Sequence, residues 1–372
     1  MSVILTESKY WNLLTMTKKV LVCPLDWGIG HATRCVPLIG ILREMGWEVW
    51  LATDGRPYEF LRKEIPGLNL IRFPGTKIRY PKNIPVAMSM FMLTPRLLWG
   101  IYQEHRQLKQ IAEKIGAGLI ISDNRYGCWH QSLPSVFITH QLDIQVPSTL
   151  RILKGLIRRI NYFFIRHYKE CWIPDFELHL NLAGALSHPP KLPPHSFYIG
   201  NLSRFPNGNE NFESHQPAFD LMIMLSGPEP QRTLLEEKIM GQLSNINLQV
   251  LVVRGIPETE EASVIDNHIH LFSHLDTARM RQAILQSGLI ICRSGYSSIM
   301  DVVALGKRAI FIPTPGQTEQ EYLSRYLMEK KIFFSMDQKN FDLLYAIEMS
   351  KNFPGVVIRN DYRELRERIQ QL

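Results

Sequence analysis

Cysteine is scarce in this chain, and the few cysteines present form no recognisable framework. Of 372 residues only five are cysteines, an odd number, and they are widely separated: Cys23, Cys35, Cys128, Cys171 and Cys292. A secreted disulfide scaffold pairs an even number of cysteines, and a zinc site needs closely spaced pairs. The pattern therefore excludes both classes and predicts small core residues of a reduced, cytoplasmic protein.

Long apolar runs are also missing. No stretch of about 18 uncharged apolar residues occurs, so we expect no membrane-spanning helix. Residues 1–17 include Glu7, Trp11 and Asn12 and lack a basic start followed by an apolar block, which argues against a secretory signal peptide. Residues 1–16 precede the first predicted strand and are interpreted as an N-terminal extension.

The length and composition predict a globular protein with two domains. A chain of 372 residues exceeds one ordinary core and suits two domains of about 150–200 residues. Hydrophobic residues make up 45% of the chain and charged residues 21%, which is not typical of disordered or fibrous proteins. The net charge of +7 favours contact with anions, which include nucleic acid, anionic lipid and phosphorylated substrates.

The first half begins with a strand, a glycine loop, a helix and a second strand. The apolar run Lys19–Pro24 predicts a buried strand, and residues 37–45 predict the helix after the loop. This is the opening unit of a doubly wound α/β domain. Gly28 and Gly30 imitate part of a dinucleotide fingerprint, and they equally suit a turn that needs glycine for its backbone geometry. Packing poorly explains His31, an imidazole expected at a helix N-terminus on the ligand edge of the sheet.

Polar side chains end two further predicted strands of this half. Strands over residues 118–123 and 135–140 both finish at the carboxyl edge, which is also the edge expected to carry His31. Ordinary strand-end residues have the same pattern, so a shared cleft is one of two interpretations. The candidates for that cleft are Asp123, Asn124 and His140.

The second half repeats the same alternation after a polar break. Residues 206–217 are rich in glycine, asparagine and proline and have no periodicity, so we place a linker there. Strand and helix patterns then continue to a final helix at residues 361–372, which we expect to pack back on the first domain. The predicted fold class is α/β, with two Rossmann-like, doubly wound domains, 17–205 and 218–372, that face each other across a cleft.

Loops of the second half have the composition of a phosphate-binding site. Backbone amides and hydroxyls at helix N-termini suit a diphosphate, and arginine adds fixed positive charge. The loop candidates are Ser226, Gly227, Ser294, Gly295, Ser297, Ser298, Gly316, Gln317 and Thr318, and the arginines are Arg232 and Arg293. Asp301 follows one of these turns on a predicted helix, where a carboxylate can accept hydrogen bonds from both hydroxyls of a ribose.

The motifs of the second half resemble those of a known enzyme family. Residues 293–301 (RSGYSSIMD), 304–306 (ALG), 312–313 (IP) and 320–322 (QEY) look like the donor-binding signature of GT-B glycosyltransferases of the MurG type. Residues 28–31 (GIGH) resemble that family's N-terminal glycine loop. The family adds N-acetylglucosamine to a polyprenyl-diphosphate sugar. The resemblance therefore implies the GT-B architecture and a UDP-sugar donor.

The resemblance also implies roles for individual residues. Asp301 matches the position of a glutamate that contacts ribose in the family, and Gln320 and Glu321 match paired glutamines that touch the donor sugar. His31 would be the general base of a direct, inverting displacement, aided by Asp123. Helix N-termini and arginine would stabilise the departing diphosphate, without a metal and without a cofactor other than the UDP-sugar co-substrate.

Two other functions stay open from the sequence. A UDP-sugar hydrolase or 2-epimerase could use the same fold, with water or the sugar ring itself replacing the acceptor. A non-catalytic protein that binds a nucleotide sugar or a lipid would need the same loops. Nucleic acid is the least favoured partner, because the loops suit a mononucleotide and no recognised nucleic-acid module surrounds the basic residues.

Two segments of the first half are unlike core. Residues 84–102 are rich in methionine and aromatic residues, and an irregular stretch is predicted from Pro74 to Pro95. Residues 150–172 alternate apolar and basic residues at helical spacing, which predicts one basic amphipathic helix. Such a helix either packs on a core with its basic face in solvent or lies on anionic headgroups. An enzyme with a lipid-linked acceptor must meet the membrane surface. We therefore expect this helix to lie on anionic headgroups, with the protein peripheral at the inner face of a membrane.

Overall fold

Two seven-stranded sheets, one from each half of the chain, form the frame of the molecule. The computed structural model describes residues 18–76, 86–177, 180–205, 217–243, 246–256, 259, 261–359 and 361–372. The predicted extension and nearly all of the predicted linker at 206–217 lie outside the described residues. The two sheets confirm the predicted α/β class with two Rossmann-like domains.

The first sheet is parallel throughout. Its strands are β1 (Lys18–Pro24), β2 (Trp47–Thr53), β3 (Asn69–Arg72), β4 (Leu119–Asp123), β5 (Ser135–Ile138), β6 (Glu170–Ile173) and β7 (Ser196–Tyr198). Their order in space is β3-β2-β1-β4-β5-β6-β7, so the order reverses between β1 and β4. Residues 20–23 of β1 are fully buried, because a central parallel strand is covered on both faces.

Helices cover both faces of this first domain. They are α1 (Ile29–Glu44), α2 (Gly55–Glu64), α3 (Val86–Ile115) and α4 (Lys154–Ile165), with 3-10 turns at Ser148–Leu153 and Gly184–Leu186. Helix α1 starts within the glycine loop, directly after Gly28, so Gly30 and His31 lie in its first turn at the carboxyl end of β1. The apolar side chains of α1, which include Leu38, Ile39 and Leu42, pack in the domain core.

The second sheet repeats the arrangement with one antiparallel edge. Its strands are β8 (Phe219–Met224), β9 (Val250–Val253), β10 (Ala262–Ile265), β11 (Ile269–Phe272), β12 (Ser287–Cys292), β13 (Ala309–Phe311) and β14 (Phe334–Ser335). Their order is β10-β11-β9-β8-β12-β13-β14, and β10 pairs with β11 in the antiparallel direction. The order reverses between β8 and β12, which marks the ligand edge of this sheet.

Two of the helices of the second domain begin with a side-chain cap, and one begins after a glycine. The helices of this domain are α5 (Gln231–Leu243), α6 (Thr277–Leu285), α7 (Tyr296–Ala304), α8 (Thr318–Glu329), α9 (Leu343–Ser350) and α10 (Arg363–Gln370), with a 3-10 turn at Gln338–Asn340. Asp276 caps α6 by accepting a hydrogen bond from the amide of Arg279, and Asp342 caps α9 in the same way. Gly295 precedes α7 and offers no side chain to its first amides.

The C-terminal helix α10 contacts the first domain. Leu365 and Ile369 are buried in the core cluster that contains Trp172 of β6. On its outer side Arg366 donates to Glu44 over 2.5 Å, and Arg368 pairs with Glu170. The last helix of the chain therefore joins the two domains.

Two predicted boundaries in the first half were wrong. The stretch predicted as irregular up to Pro95 is helical from Val86, because one proline removes a single N–H donor from a helix of 30 residues. The helix predicted over 150–172 ends at Ile165, and the chain then enters the buried strand β6 at Glu170. Cys171 and Trp172 are therefore core residues of the sheet and not part of an amphipathic face.

In the part of the chain that the structure describes, no helix is both long enough and apolar enough to cross a membrane.

Candidate active site

A cavity of about 620 Å³ lies between the two domains, at the carboxyl ends of both sheets. The glycine loop contributes one wall, and the N-terminus of α7 contributes the facing wall. Gly30 and Ser297 bring the walls together, because the Ser297 hydroxyl donates to the Gly30 carbonyl over 2.8 Å. A Cβ at residue 30 would lie 3.0 Å from that hydroxyl, so a larger residue there would require Ser297 to shift by a few tenths of an ångström.

His31 and Asp123 meet at the floor of this cavity. Strand β1 pairs with β4 in a register that sets Pro24 opposite Asp123, and the glycine loop then brings His31 back over the strand ends. Nδ1 of His31 lies 3.1 Å from Oδ2 of Asp123. The His31 side chain is 20% exposed and lines the cavity, whereas Asp123 is fully buried behind it. The structure thus brings together the two residues predicted to act on an acceptor.

Arg34 completes this cluster, and sequence reasoning missed it. Its Nε donates to Oδ2 of Asp123 over 2.7 Å, and its Nη2 contacts the other carboxylate oxygen. The same Nη2 lies 2.8 Å from Nδ1 of His31. Residues three apart share one face of a helix, so the spacing of His31 and Arg34 was a signal in the sequence.

Burial and charge set the protonation of this cluster. Burial disfavours ionisation of Asp123, but the charges of Arg34 and His31 outweigh it and lower the pKa of the carboxyl to about 2. Burial lowers the pKa of His31, and the charge of Arg34 lowers it further, against the opposing effect of Asp123. At neutral pH the cluster therefore holds an ionised carboxylate beside a neutral imidazole, which is the protonation state of a general base.

A second contact joins this cluster to the other domain. Nε2 of His140 lies 2.8 Å from Oε1 of Glu319, in the first turn of α8, and the side-chain amide of Gln141 donates to the other oxygen of Glu319. Nη1 of Arg34 lies 3.4 Å from Nδ1 of His140. Glu319 was not among the predicted residues, because the sequence does not reveal which side chain of the first turn faces the cavity.

The second domain lines the cavity with backbone and hydroxyl groups. Its predicted residues that do so are Ser226, Gly227, Gly295, Ser297, Ser298, Asp301, Gln317 and Gln320, and those of the first domain are Gly28, Gly30, His31 and His140. The side-chain carbonyl of Gln320 accepts from the amide of Thr314 over 2.9 Å, and its NH₂ donates to Gln317. The first amides of α7 lie at this wall, so the positive end of a helix dipole faces the cavity.

Asp301 is tied to the segment that ends the first domain. The Ser203 hydroxyl donates to one carboxylate oxygen over 2.7 Å, and Nε of Arg204 donates to the other over 3.2 Å. Burial raises the pKa of Asp301, against the opposing effects of Arg204 and Ser203. Arg204 itself lines the cavity, as does Arg56, so the cavity carries cationic side chains that the sequence did not indicate.

The two predicted phosphate-binding arginines do not line the cavity. Arg293 is 1% exposed, and its guanidinium donates to the carbonyls of Ile312 and Pro313 and to the side chain of Gln338. Burial lowers the pKa of Arg293 to about 10. Arg232 is engaged by Glu229 in the preceding loop and by Glu236 on its own helix. Both arginines bind protein groups, which corrects the expectation that either faces a ligand.

Four further predicted donor residues also lie outside the cavity lining. They are Ser294, Gly316, Thr318 and Glu321. The buried Ser294 hydroxyl donates to the carbonyl of Gln320, and Thr318 donates to Gln145 of the first domain. Glu321 accepts from the amide of Gly316 and borders a separate groove. Consecutive residues of a helix point in different directions, which is why Gln320 faces the cavity and Glu321 does not.

Asn124 is a structural residue of the first domain. Its backbone has a φ of 60°, in the left-handed region that asparagine tolerates, and its side-chain carbonyl accepts from Thr139 over 3.1 Å. It does not line the cavity. Across the described residues, no group of three His, Cys, Asp or Glu side chains is arranged to hold a metal ion.

Sequence comparison relates the chain to one family of transferases. Residues 231–348 match the glycosyltransferase family 28 C-terminal domain. The UDP-N-acetylglucosamine--N-acetylmuramyl-(pentapeptide) pyrophosphoryl-undecaprenol N-acetylglucosamine transferase of Glaesserella parasuis is 25% identical over 365 residues, which cover 90% of each protein. The enzyme of the same name from Histophilus somni is 23% identical over 362 residues, which cover 91% of this chain and 90% of that protein.

Solved structures agree with this relationship at the level of the fold. The crystal structure of Acinetobacter baumannii MurG has a TM-score of 0.59 with 13% identity and covers 95% of this chain and 100% of that one. The spinosyn rhamnosyltransferase SpnG has a TM-score of 0.60 with 14% identity over 94% and 100% of the two chains, and it has also been solved with thymidine diphosphate. The resemblance that the motifs predicted is thereby confirmed, and so is the GT-B architecture.

Proposed function

We propose that this chain, a GT-B glycosyltransferase of the MurG type, moves a hexose or N-acetylhexosamine from a UDP-sugar to an acceptor hydroxyl with inversion at the anomeric carbon. The observation that carries the proposal is the cavity between the domains, in which the His31–Asp123 pair faces the N-terminus of α7. Residues 17–205 would bind the acceptor, and residues 218–372 would bind the donor. The names of the relatives support a lipid-linked acceptor.

On the acceptor side, His31 would act as the general base. For this role Nδ1 of His31 would carry the proton and donate to Asp123, which would leave the lone pair of Nε2 for the acceptor hydroxyl. As the hydroxyl oxygen bonds to the anomeric carbon, its proton passes to Nε2. The bond between that carbon and the diphosphate oxygen breaks, and its electron pair leaves with UDP. A single displacement of this kind inverts the configuration of the anomeric carbon.

On the donor side, backbone groups would stabilise the departing diphosphate. The first amides of α7 face the cavity, and a helix N-terminus attracts anions. Gly227 and Ser298 line the same wall. Because these groups offset the developing charge, we propose that the reaction needs no metal ion. Asp301 would bind the ribose, and Gln320 would contact the donor sugar.

A thermal-shift panel of nucleotide sugars tests the donor assignment. We expect UDP-sugars to raise the melting temperature, since a ligand at about 100 times its Kd stabilises the folded state by about 2.7 kcal/mol. GDP-, ADP- and dTDP-sugars at the same concentration should give smaller shifts. Stabilisation by dTDP-sugars and not by UDP-sugars would contradict the assignment, and the comparison matters because SpnG has been solved with thymidine diphosphate.

The surface around α4 supports contact with a membrane. Leu156, Ile160 and Phe163, at helical spacing, are 46–55% exposed, whereas the polar Asn161 is buried and donates to the carbonyl of Gln141. The apolar face of this helix is therefore turned outward, against the expectation for a core helix. The preceding Ile152 is 96% exposed.

Helix α3 adds to this apolar surface, and basic residues border it. Trp99, on α3, is 62% exposed. Trp129 stacks on His105 of α3 and contacts the ring of His167, two residues after α4, which brings the two helices to one side of the domain. Exposed arginines accompany the apolar residues: Arg151, Arg159 and Arg166. We propose that this surface lies on anionic lipid at the inner face of the membrane, near a lipid-linked acceptor.

Vesicle binding tests this surface. The double variant Leu156→Gln/Phe163→Gln should bind phosphatidylglycerol vesicles at least about tenfold more weakly than the parent, because full burial of each side chain stabilises by about 1.5–3 kcal/mol. The matched control is Leu344→Gln, which changes an exposed leucine of the second domain. Sedimentation with vesicles measures the binding of the double variant and of the control. Equal binding by the double variant and the parent would overturn the proposed membrane surface.

A further inference from the structure

Glu319 is the one acidic side chain of the second domain in direct contact with the histidines of the cavity, among the described residues. It lies in the first turn of α8, and its side chain is 31% exposed. Its carboxylate contacts two neighbouring residues of the first domain, His140 and Gln141. Burial alone would raise the pKa of Glu319, but the charges of His140, His31 and Arg34 lower it, so the carboxylate is ionised at neutral pH.

A continuous series of polar contacts leads from Glu319 to His31. Glu319 lies 2.8 Å from Nε2 of His140, and the other ring nitrogen of His140 lies 3.4 Å from Nη1 of Arg34. Arg34 then contacts both carboxylate oxygens of Asp123 and lies 2.8 Å from His31. All of these groups except Glu319 belong to the first domain, so the series is complete only when the domains are closed.

Contacts around His140 hold its ring in one orientation. The ring stacks on Tyr296 of α7 with centroids 4.1 Å apart, and the Tyr296 hydroxyl donates to the carbonyl of Pro174. Thr318, next to Glu319, donates to the carbonyl of Gln145 over 2.9 Å. The second domain therefore touches His140 from two helices at once, and both touch it near their N-termini.

We propose that Glu319 is a positioning residue that couples closure of the two domains to the alignment of His31. Through His140 it fixes the Nη1 end of Arg34, and Arg34 in turn holds Asp123, the partner of His31. Before closure, His140 lacks its contact with Glu319, so its ring no longer fixes the Nη1 end of Arg34 and the Arg34–Asp123 pair is less firmly oriented. The base would then be aligned chiefly when the donor domain is in place, which limits transfer to the closed complex. This inference rests on the proposed function of His31.

A purely local role for Glu319 makes a different prediction. An acidic residue in the first turn of a helix stabilises that helix through its dipole, and Glu321 lies in the same turn of α8. Glu321 does not line the cavity, and its carboxylate accepts a hydrogen bond from the amide of Gly316. Glu319→Gln and Glu321→Gln therefore remove the same charge from the same helical turn, but only the first breaks the contact with His140.

Steady-state kinetics of these two variants test the proposal. We expect Glu319→Gln to lower kcat of sugar transfer about 10- to 100-fold with little change in the donor KM, since misplacement of a catalytic group costs up to about 10²-fold. Glu321→Gln should keep the parental kcat. In His140→Phe, which preserves a ring against Tyr296, the further change Glu319→Gln should cost little, because the route through His140 is already lost. Additive losses in the double variant would contradict this route.

The pH profile separates positioning from simple loss of folding. The charged and titratable groups that face His31 are Arg34, Asp123, His140 and Glu319. A carboxylate stabilises the imidazolium, so its removal in Glu319→Gln should lower the pKa of His31 and move the acid limb of kcat/KM to lower pH. A structural defect would lower kcat/KM by the same factor at every pH and would leave the midpoint of the acid limb unchanged. Melting temperature and donor binding identify any variant that is misfolded.

The outcomes distinguish this inference from the proposed function. If His31→Ala retains full transfer, the proposed function fails. If His31→Ala loses transfer while Glu319→Gln and Glu321→Gln behave alike, His31 keeps its role and only the coupling through Glu319 is overturned.

Discussion

The variant His31→Ala is expected to lower kcat of sugar transfer about 10²–10⁴-fold, the contribution of one positioned general base. Its affinity for UDP should be unchanged, because the proposed donor groups lie on the facing wall of the cavity. Without the imidazole, the acceptor hydroxyl has no group to take its proton as the new bond forms. Transfer from a labelled UDP-sugar and calorimetric binding of UDP measure the two effects separately.

The control for this variant is His268→Ala, which changes a half-buried histidine in the turn between β10 and β11, outside the cavity lining. It should transfer sugar at the parental rate. A fall of less than about threefold in His31→Ala would contradict the assignment of the base, since general-base catalysis contributes far more. In the parent, burial and Arg34 hold the pKa of His31 below 6.5. The acid limb of kcat/KM should therefore have its midpoint below pH 6.5.

The variant Asp123→Ala is expected to lose both activity and stability. It leaves the Arg34 guanidinium, 3% exposed, without its carboxylate partner. Removing one partner of a buried ion pair typically costs about 3–5 kcal/mol. Chemical denaturation should show a loss of this size in the free energy of unfolding. The matched control is Asp54→Ala, whose partner Arg72 is 59% exposed, and its loss of stability should be much smaller.

The same carboxylate predicts how stability depends on pH. The pKa of Asp123 falls from 3.8 to about 2 on folding, so the folded state favours the ionised form. Its contribution is complete above pH 3.8 and is lost as the pH falls toward about 2. The stability difference between the parent and Asp123→Ala should therefore shrink across this acid range. A difference that stays constant there would show that the ion pair with Arg34 is not its source.

The sequence predicted those features that depend on residues close together along the chain, such as strands and the loops that follow them. Apolar runs such as residues 20–23 predicted the central strands, and their carboxyl ends predicted where ligand loops lie. Because parallel strands end at one edge, Asp123 and His140 were expected beside His31, and the structure brings all three into one cluster. The glycine loop was recognised for the same local reason.

The sequence did not predict which side chains of a loop or a helical turn point into the cavity. Ser294 and Ser297 belong to one motif, yet only Ser297 lines the cavity, whereas the hydroxyl of Ser294 is buried against Gln320. Arg293 carries the charge expected at a phosphate site but uses it to bind carbonyls of its own domain. These outcomes depend on which groups surround a residue in space, and that information is spread over the whole chain.

The sequence by itself determined the two α/β domains, the positions of the ligand loops and the resemblance to glycosyltransferases, because strand periodicity and glycine turns are local properties. Only the tertiary structure decided that Glu319, and not Glu321, meets His140, and that Arg34 joins His31 to Asp123. These contacts form between residues of different domains and strands. They depend on the rotation of each helix and on how closely the domains approach, and both are set by the packing of the complete core.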